Sequence, residues 1–235
     1  MKKVITKGPR NVLMTNELIF FTLSLSQINC MAQGSKITFS KAELDAMISP
    51  DFFYTKHAAM QNVMELLSET EREIRKIVVA IPEFAVHTNI ESPKIFRGEN
   101  YRQLPYIVLD YPRHFSTDSV FAFRSMFWWG KEFSFTLHLQ GKAWEYYRNR
   151  VTERLSTLSG KDFYCCVNDS PWQYYFENDN YVLLDELLKS PDFIPGFQSR
   201  NFLKLCTKTE IKDFARVPEY ASGTLELLLK LLQEL

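Results

Sequence analysis

Asp110, Arg124 and His138 all fall within the run from Tyr101 to Trp144, and their side chains could do chemistry together. A guanidinium grips a carboxylate or a phosphate with two parallel hydrogen bonds. Imidazole titrates near neutral pH, so His138 is a candidate general acid or base, with Asp110 as a second candidate. Arg113 and Tyr111 stand next to Asp110 as binding candidates, and Tyr101, Tyr106, Arg97 and Arg102 surround the same segment. Tyrosine and arginine beside tryptophan are enriched where proteins bind one another. No sequence motif places a nucleophile near His138. His57, His87 and His114 are isolated and make no H-x-x-x-H spacing, so no metal site and no cofactor are expected.

The elements that must position these groups are strands. Glu132 to Gln140 alternates, with Phe133, Phe135, Leu137 and Leu139 on one side and Ser134, Thr136, His138 and Gln140 on the other. Gly130-Lys131 suits a two-residue hairpin turn, which pairs Trp128 with Phe133 and Phe123 with His138; a four-residue loop keeps that pairing and only an odd loop changes it. One face then carries Val120, Ala122, Arg124, Met126 and Trp128 beside the phenylalanines and leucines. Arg124 is its lone charge and needs a partner if buried, for which Asp110 is the candidate. The alternative is that Arg124 faces a cavity and clamps an anion. The other face carries Phe121, Phe123, Phe127 and Trp129 beside His138. Four aromatics there must be covered by helices, a partner or a ligand, which makes Phe127 and Trp129 binding candidates. This register sets Arg124 and His138 on opposite faces and so weighs against one catalytic cluster.

Around the hairpin the periodicity predicts mixed elements. Ser40-Lys-Ala-Glu43 is a capping box that starts a short helix ending near Pro50. Apolar residues from Met60 to Ile81 recur at helical spacing, with a second capping box at Ser68 to Glu71 that predicts a break there. Residues 84–102 read as irregular. Strands are expected at 105–111, 119–129 and 132–140, followed by a helix over 144–158 and a strand over 163–167. A short helix over 181–188 and a strand over 202–206 come next. Leu225, Leu228, Leu229, Leu232 and Leu235 stripe a final helix, which either docks in its own domain or offers a homo-oligomer interface. The expected fold is α+β: an antiparallel sheet built on a 105–140 meander, packed with several helices.

Residues 1–34 read as an N-terminal extension or a signal-like segment, and 35–235 as a single α+β domain. Lys2, Lys3, Lys7 and Arg10 precede an apolar run from Leu18 to Ile28, with Ala32 before a cleavage point. Asn16, Glu17 and the serines within the run speak against export. Met31 is an alternative natural start, and the run is too short to span a bilayer as a helix.

The segments LPYIVLDYPRHF and FAFRSMFWWGKEFSFTLHLQGK resemble an uncharacterised bacterial protein family, over a stretch from about Lys36 to the C-terminus. The resemblance implies a bacterial cytoplasmic protein whose core begins near Lys36; it implies no catalytic residues.

Composition narrows the function classes. Twenty-eight basic and 28 acidic residues leave no net charge, so nucleic acid is not a favoured partner. Eight glycines, none clustered, leave no phosphate-cradling loop and no G-x-S-x-G elbow. Cys30, Cys165, Cys166 and Cys206 make no C-x-x-C pair, and Cys165 and Cys166 point to opposite faces if they lie on a strand. The function expected from sequence is a soluble binding or interaction domain that uses the aromatic, Tyr/Arg-rich sheet region to hold a protein partner or small ligand. The alternative is an enzyme acting on a small anionic substrate, with an arginine clamp and His138 or Asp110 as acid/base.

Overall fold

The computed structural model describes residues 36–81 and 90–233. The chain divides into two compact units, Met1–Pro50 and Asp51–Leu235. The readings for residues 1–34 fall outside the described residues. In the first unit the Ser40–Glu43 capping box forms as expected. Ser40 Oγ accepts from the Glu43 N–H (3.2 Å) and the Glu43 carboxylate accepts from the Ser40 N–H (2.6 Å), which starts α1 (Lys41–Ile48).

The second unit opens with α2 (Asp51–Val79), a single unbroken helix. Met60, Leu67, Ile74 and Val78 line its buried stripe at helical spacing. The break expected at Ser68 does not occur. The Ser68 hydroxyl donates to Met64 O within the helix (2.9 Å), and Glu71 pairs with Arg75 one turn on (2.5 Å) rather than capping.

Among the described residues seven antiparallel strands, numbered β1 to β7 along the chain, form one sheet in the order β1-β2-β3-β4-β7-β5-β6. The fold is α+β. Strand β1 (Lys94–Tyr101) lies where the sequence reads as irregular. It is a largely exposed edge strand, so it lacks an apolar alternation to reveal it. At Gly98 a Cβ would sit 2.4 Å from the Tyr106 ring, so a larger residue there would have to displace that ring. The meander continues through β2 (Leu104–Phe115), β3 (Ser119–Trp128) and β4 (Glu132–Gly141). After α3 (Lys142–Arg154) come β5 (Tyr164–Cys166), β6 (Tyr181–Leu183), α4 (Leu184–Leu187), α5 (Phe193–Ser199), β7 (Phe202–Glu210) and α6 (Val217–Leu232). The helix expected over 181–188 begins as strand β6, because Tyr181 to Leu183 pair with Cys166 to Tyr164.

The hairpin register differs from the expected one by a single residue, and that changes both faces of the sheet. Trp129, Gly130 and Lys131 form a three-residue connection. The Lys131 N–H closes on Trp128 O (3.0 Å) and Gly130 takes the left-handed backbone (φ 69°). The odd count pairs Phe127 with Phe133, Phe123 with Leu137 and Ala122 with His138. Phe121, Phe123 and Phe127 therefore share a face with Phe133, Phe135, Leu137 and Leu139. That face packs on Leu203 and Leu205 of β7 and is covered by α2, α3 and α6, forming the main core. Arg124 falls on the opposite face, with Thr136 and His138.

Of the leucine stripe, Leu225, Leu228, Leu229 and Leu232 of α6 are buried in the main core of their own domain, while Leu235 falls outside the described residues. The stripe is thus taken by the sheet and α2, not left free for a second copy. The arginines of α3 close the end of α6. Arg150 donates to Leu232 O (3.3 Å) and Arg154 to Lys230 O and Gln233 O (3.0 and 2.7 Å), cations at a helix C-terminus where the dipole favours them. Among the described residues, no helix is long and apolar enough to cross a membrane.

Candidate functional site

The sheet face away from the helices buries charge. Asp110 on β2 stands opposite Arg124 on β3, and the pair is bidentate: Nε to Oδ1 at 2.8 Å and Nη2 to Oδ2 at 2.7 Å. The Arg124 guanidinium lies over the rings of Tyr174 (4.7 Å) and Phe96 (5.6 Å). Burial works against its charge, while Tyr174 and Asp110 more than restore it and leave the group above its ordinary range. Asp110 is the partner expected from the sequence, but Arg124 is not a lone charge on the dry face; it belongs to a polar one.

Two further groups share that face. His138 and Lys204 are directly opposed across β4 and β7, and Ala122 and Arg124 flank them on β3. Lys204 is only 1% exposed and His138 2%. Lys204 Nζ donates to the backbone carbonyl of Gln173 and lies over the rings of Tyr174 (3.9 Å) and Tyr181 (4.9 Å). Among the described residues no carboxylate pairs with it. Burial, helped by the Arg124 charge, holds its ammonium down to about 8. Burial, with the charges of Lys204 and Arg124, drives His138 down to about 3, so its ring is neutral at pH 7. His138 Nε2 has no hydrogen-bond partner among the described residues. Beside them, Thr136 Oγ1 donates to Cys206 Sγ (3.1 Å), and burial pushes that thiol up to about 12.

A strap, residues 167–180, covers this face. Its ends are joined by the Val167 N–H donating to Asn180 O (2.8 Å). Arg200 donates to the carbonyls of Val167 (3.1 Å) and Asn168. At mid-strap the Tyr101 hydroxyl accepts from the Tyr174 N–H (2.8 Å) and contacts Gln173 Oε1 (3.3 Å). Trp172 is 49% exposed, with its ring edge-on to His138 at 5.3 Å. Cys166 contributes to the polar face while Cys165 enters the helix-side core, the opposed placement expected of strand neighbours.

The other sequence candidates separate. Tyr111 is buried in the helix-side core beneath Arg75, whose guanidinium is 5.1 Å from its ring centre. The sheet register shifts between Asp110 and Arg113. Arg113 then sits near the end of β2, held by Glu91 (2.7 Å) and Ser92 O (2.8 Å). Phe127 is core. Trp129 at the hairpin turn borders a groove of ≈ 690 Å³ between α2, the β3–β4 turn and the 3-10 turn Ile211–Arg216. Val63, Leu66, Phe127, Phe133 and Ile211 form its floor, and Phe214, 58% exposed, stands at its edge. The carboxylates of Glu65 and Glu69 also line it.

Arg124 and His138 are thus brought to one face, contrary to the opposite faces expected. They do not make the expected clamp with an acid/base: both Arg124 prongs are occupied by Asp110, and His138 is held neutral. Lys204 was not singled out by sequence reasoning, although Phe202-Leu-Lys-Leu-Cys206 sets the lysine at an alternate position within an apolar strand. Comparison with protein-family models, curated proteins and solved structures finds no match.

Proposed function

We propose that this protein is a binding module that takes an amphipathic helical segment of a partner protein, bearing basic residues, into the groove at Trp129. The observation that carries this reading is the exposed aromatic edge: Phe214 stands in solvent at the mouth of an apolar groove that Trp129 completes. Exposed apolar patches with polar rims mark interaction sites. A groove floored by aliphatic and aromatic side chains suits helix-in-groove docking. Glu65 and Glu69 supply the charge complementarity that selects a basic segment over an acidic one.

The test is binding of a labelled amphipathic Leu/Lys helical peptide and its Leu/Glu counterpart, followed by fluorescence anisotropy. The Leu/Lys peptide should bind and the Leu/Glu peptide should not, and Trp129→Ala with Phe214→Ser should abolish binding without changing the circular dichroism. Equal binding of both peptides, or none of either, overturns the reading. So does concentration-dependent self-association lost in the same variant, which would make the occupant a second copy. The free thiols Cys165, Cys166 and Cys206 are compatible with a reducing, cytoplasmic setting for such a module.

A further inference from the structure

We infer that the strap-covered face of the sheet is a separate site for a small oxyanion, received between the side chains of Lys204 and His138. Three independent observations converge on those two residues. The first is charge. Asp110 is spent on both prongs of Arg124, so among the described groups on this face the Lys204 charge has no opposite charge to meet it. A buried ammonium without a counter-charge is costly. A carbonyl and two ring faces offset part of that cost but supply no net negative charge.

The second observation is the orphaned imidazole nitrogen. His138 is buried and its Nε2 has no hydrogen-bond partner among the described residues, although the Gln140 side chain, whose Oε1 is likewise buried and unpaired, lies close enough to favour its protonated form. Buried polar atoms of this kind call for a bound partner. A neutral imidazole with its proton on Nε2 is a hydrogen-bond donor that an oxygen anion accepts. His138 and Lys204 are direct cross-strand neighbours, so both donors reach one small ligand.

The third is the cover. Trp172, Phe202 and Tyr174 wall the pair with aromatic surface, which lowers screening of any charge held there. Trp172 is half exposed and stands edge-on to His138, so the door is the strap around Pro171 to Gln173. The Lys204 bond to Gln173 O ties that part of the strap down. An incoming oxyanion replaces this neutral acceptor by a charged one, a stronger hydrogen bond, and frees the strap to move. The ligand class is a carboxylate or a phosphate on a small molecule.

Proton linkage gives the site a signature. The titratable groups around Lys204 are Arg124, His138, Cys166, Cys206, Tyr174 and Tyr181. Lys204 is the group brought near pH 8: His138 is down at about 3, Cys206 and Tyr174 are up at about 12, Arg124 lies above its ordinary range, and burial pushes Tyr181 well above and Cys166 above their ordinary values. A bound anion favours the ammonium, so binding at pH 8.5 takes up a proton.

The experiment titrates the full chain with inorganic phosphate and, separately, with sodium acetate, at fixed ionic strength held with chloride. Calorimetry and tryptophan fluorescence follow binding. Saturable binding of at least one anion is expected, with proton uptake at pH 8.5 seen in buffers of different ionisation heat. The preferred anion tells phosphate from carboxylate. Lys204→Met should weaken binding at least tenfold and His138→Phe several-fold. Trp172→Phe should remove the fluorescence change and keep the heat. No saturable heat with either anion overturns the site, as does undiminished binding by a folded Lys204→Met. If Lys204→Met does not fold, the wild-type proton uptake and the His138→Phe variant decide: absence of uptake, or binding unchanged by His138→Phe, overturns it.

Discussion

The helix side and the strap side of the same three strands are built on different physics. On the helix side, β3, β4 and β7 present Phe121, Phe123, Phe127, Phe133, Phe135, Leu137, Leu139, Leu203 and Leu205 to α2, α3 and α6. On the strap side the intervening residues bury Thr136, His138, Lys204 and Cys206 and largely cover Arg124, with buried Asp110 from the neighbouring β2. The first face is held by the area it hides from water, which adds up over many residues and needs no particular partner. The second depends on partners one at a time. Arg124 has a carboxylate and two rings; Lys204 has a carbonyl and two rings but no carboxylate. Removing the carboxylate from Arg124 and removing the charge of Lys204 should therefore differ in sign as well as size.

The largest effects come from emptying the helix side or orphaning Arg124. Phe123→Ala, at a fully buried site, should cost about 3–5 kcal/mol in urea unfolding. Asp110→Ala should cost a similar ~3–5 kcal/mol because it leaves a buried guanidinium unmatched. A loss below about 1 kcal/mol for Asp110→Ala would mean that water reaches Arg124, and the contrast between the faces would fail.

Next in size is the acid response. His138 is held at about 3 in the fold against an ordinary value near 6.5. The unfolded chain therefore binds the extra proton first as pH falls. The stability that depends on a neutral ring is complete above about pH 6.5 and is lost progressively towards pH 3, amounting to a few kcal/mol. His138→Phe should flatten that part of the stability–pH curve measured by chemical denaturation. An unchanged slope would show that His138 is solvated.

Lys204 sharpens the comparison through its sign. Its folded value of about 8 lies below the ordinary 10.5, so its contribution is complete above about pH 10.5 and is lost as pH falls towards 8. Lys204→Met should be neutral or stabilise by about 1–2 kcal/mol at pH 7 and should remove that alkaline rise. A loss like that of Asp110→Ala would place an unrecognised negative partner beside Lys204. The smallest effect is expected at the groove: Phe214→Ser should shift stability by no more than about 0.5 kcal/mol, since the ring is already in solvent.

Much of the fold was legible because periodicity survives in the chain. The Ser40 capping box, the meander from Leu104 to Gly141, the α3 and α6 stripes and the Arg124–Asp110 partnership all follow from local spacing. Edge strand β1 was not legible, because its exposed residues carry no alternation. The unbroken α2 was missed because the Ser68–Glu71 pattern, which can cap a helix, can also be satisfied inside one. Phe127 stands among the binding candidates because an even hairpin register puts it on the face away from the leucines, and Tyr111 because tyrosine beside arginine is common at interfaces; both are core. Lys204 went unremarked because a lone lysine on a short strand reads as a solvated side chain until the strand's neighbours are known.

By itself the sequence determined which residues alternate along each strand and which stripe each helix buries, since those depend on backbone periods of 2 and 3.6. Which alternate set of one strand shares a face with which set of the next was decided only in the tertiary structure. A three-residue turn at Trp129–Lys131, in place of an even one, moved Arg124 from the phenylalanines to His138 and set the aromatics of β3 against α2. Strand β7, inserted between β4 and β5 from far along the chain, then brought Lys204 to His138. Local spacing cannot encode that meeting, because it depends on sheet order and on the parity of one loop.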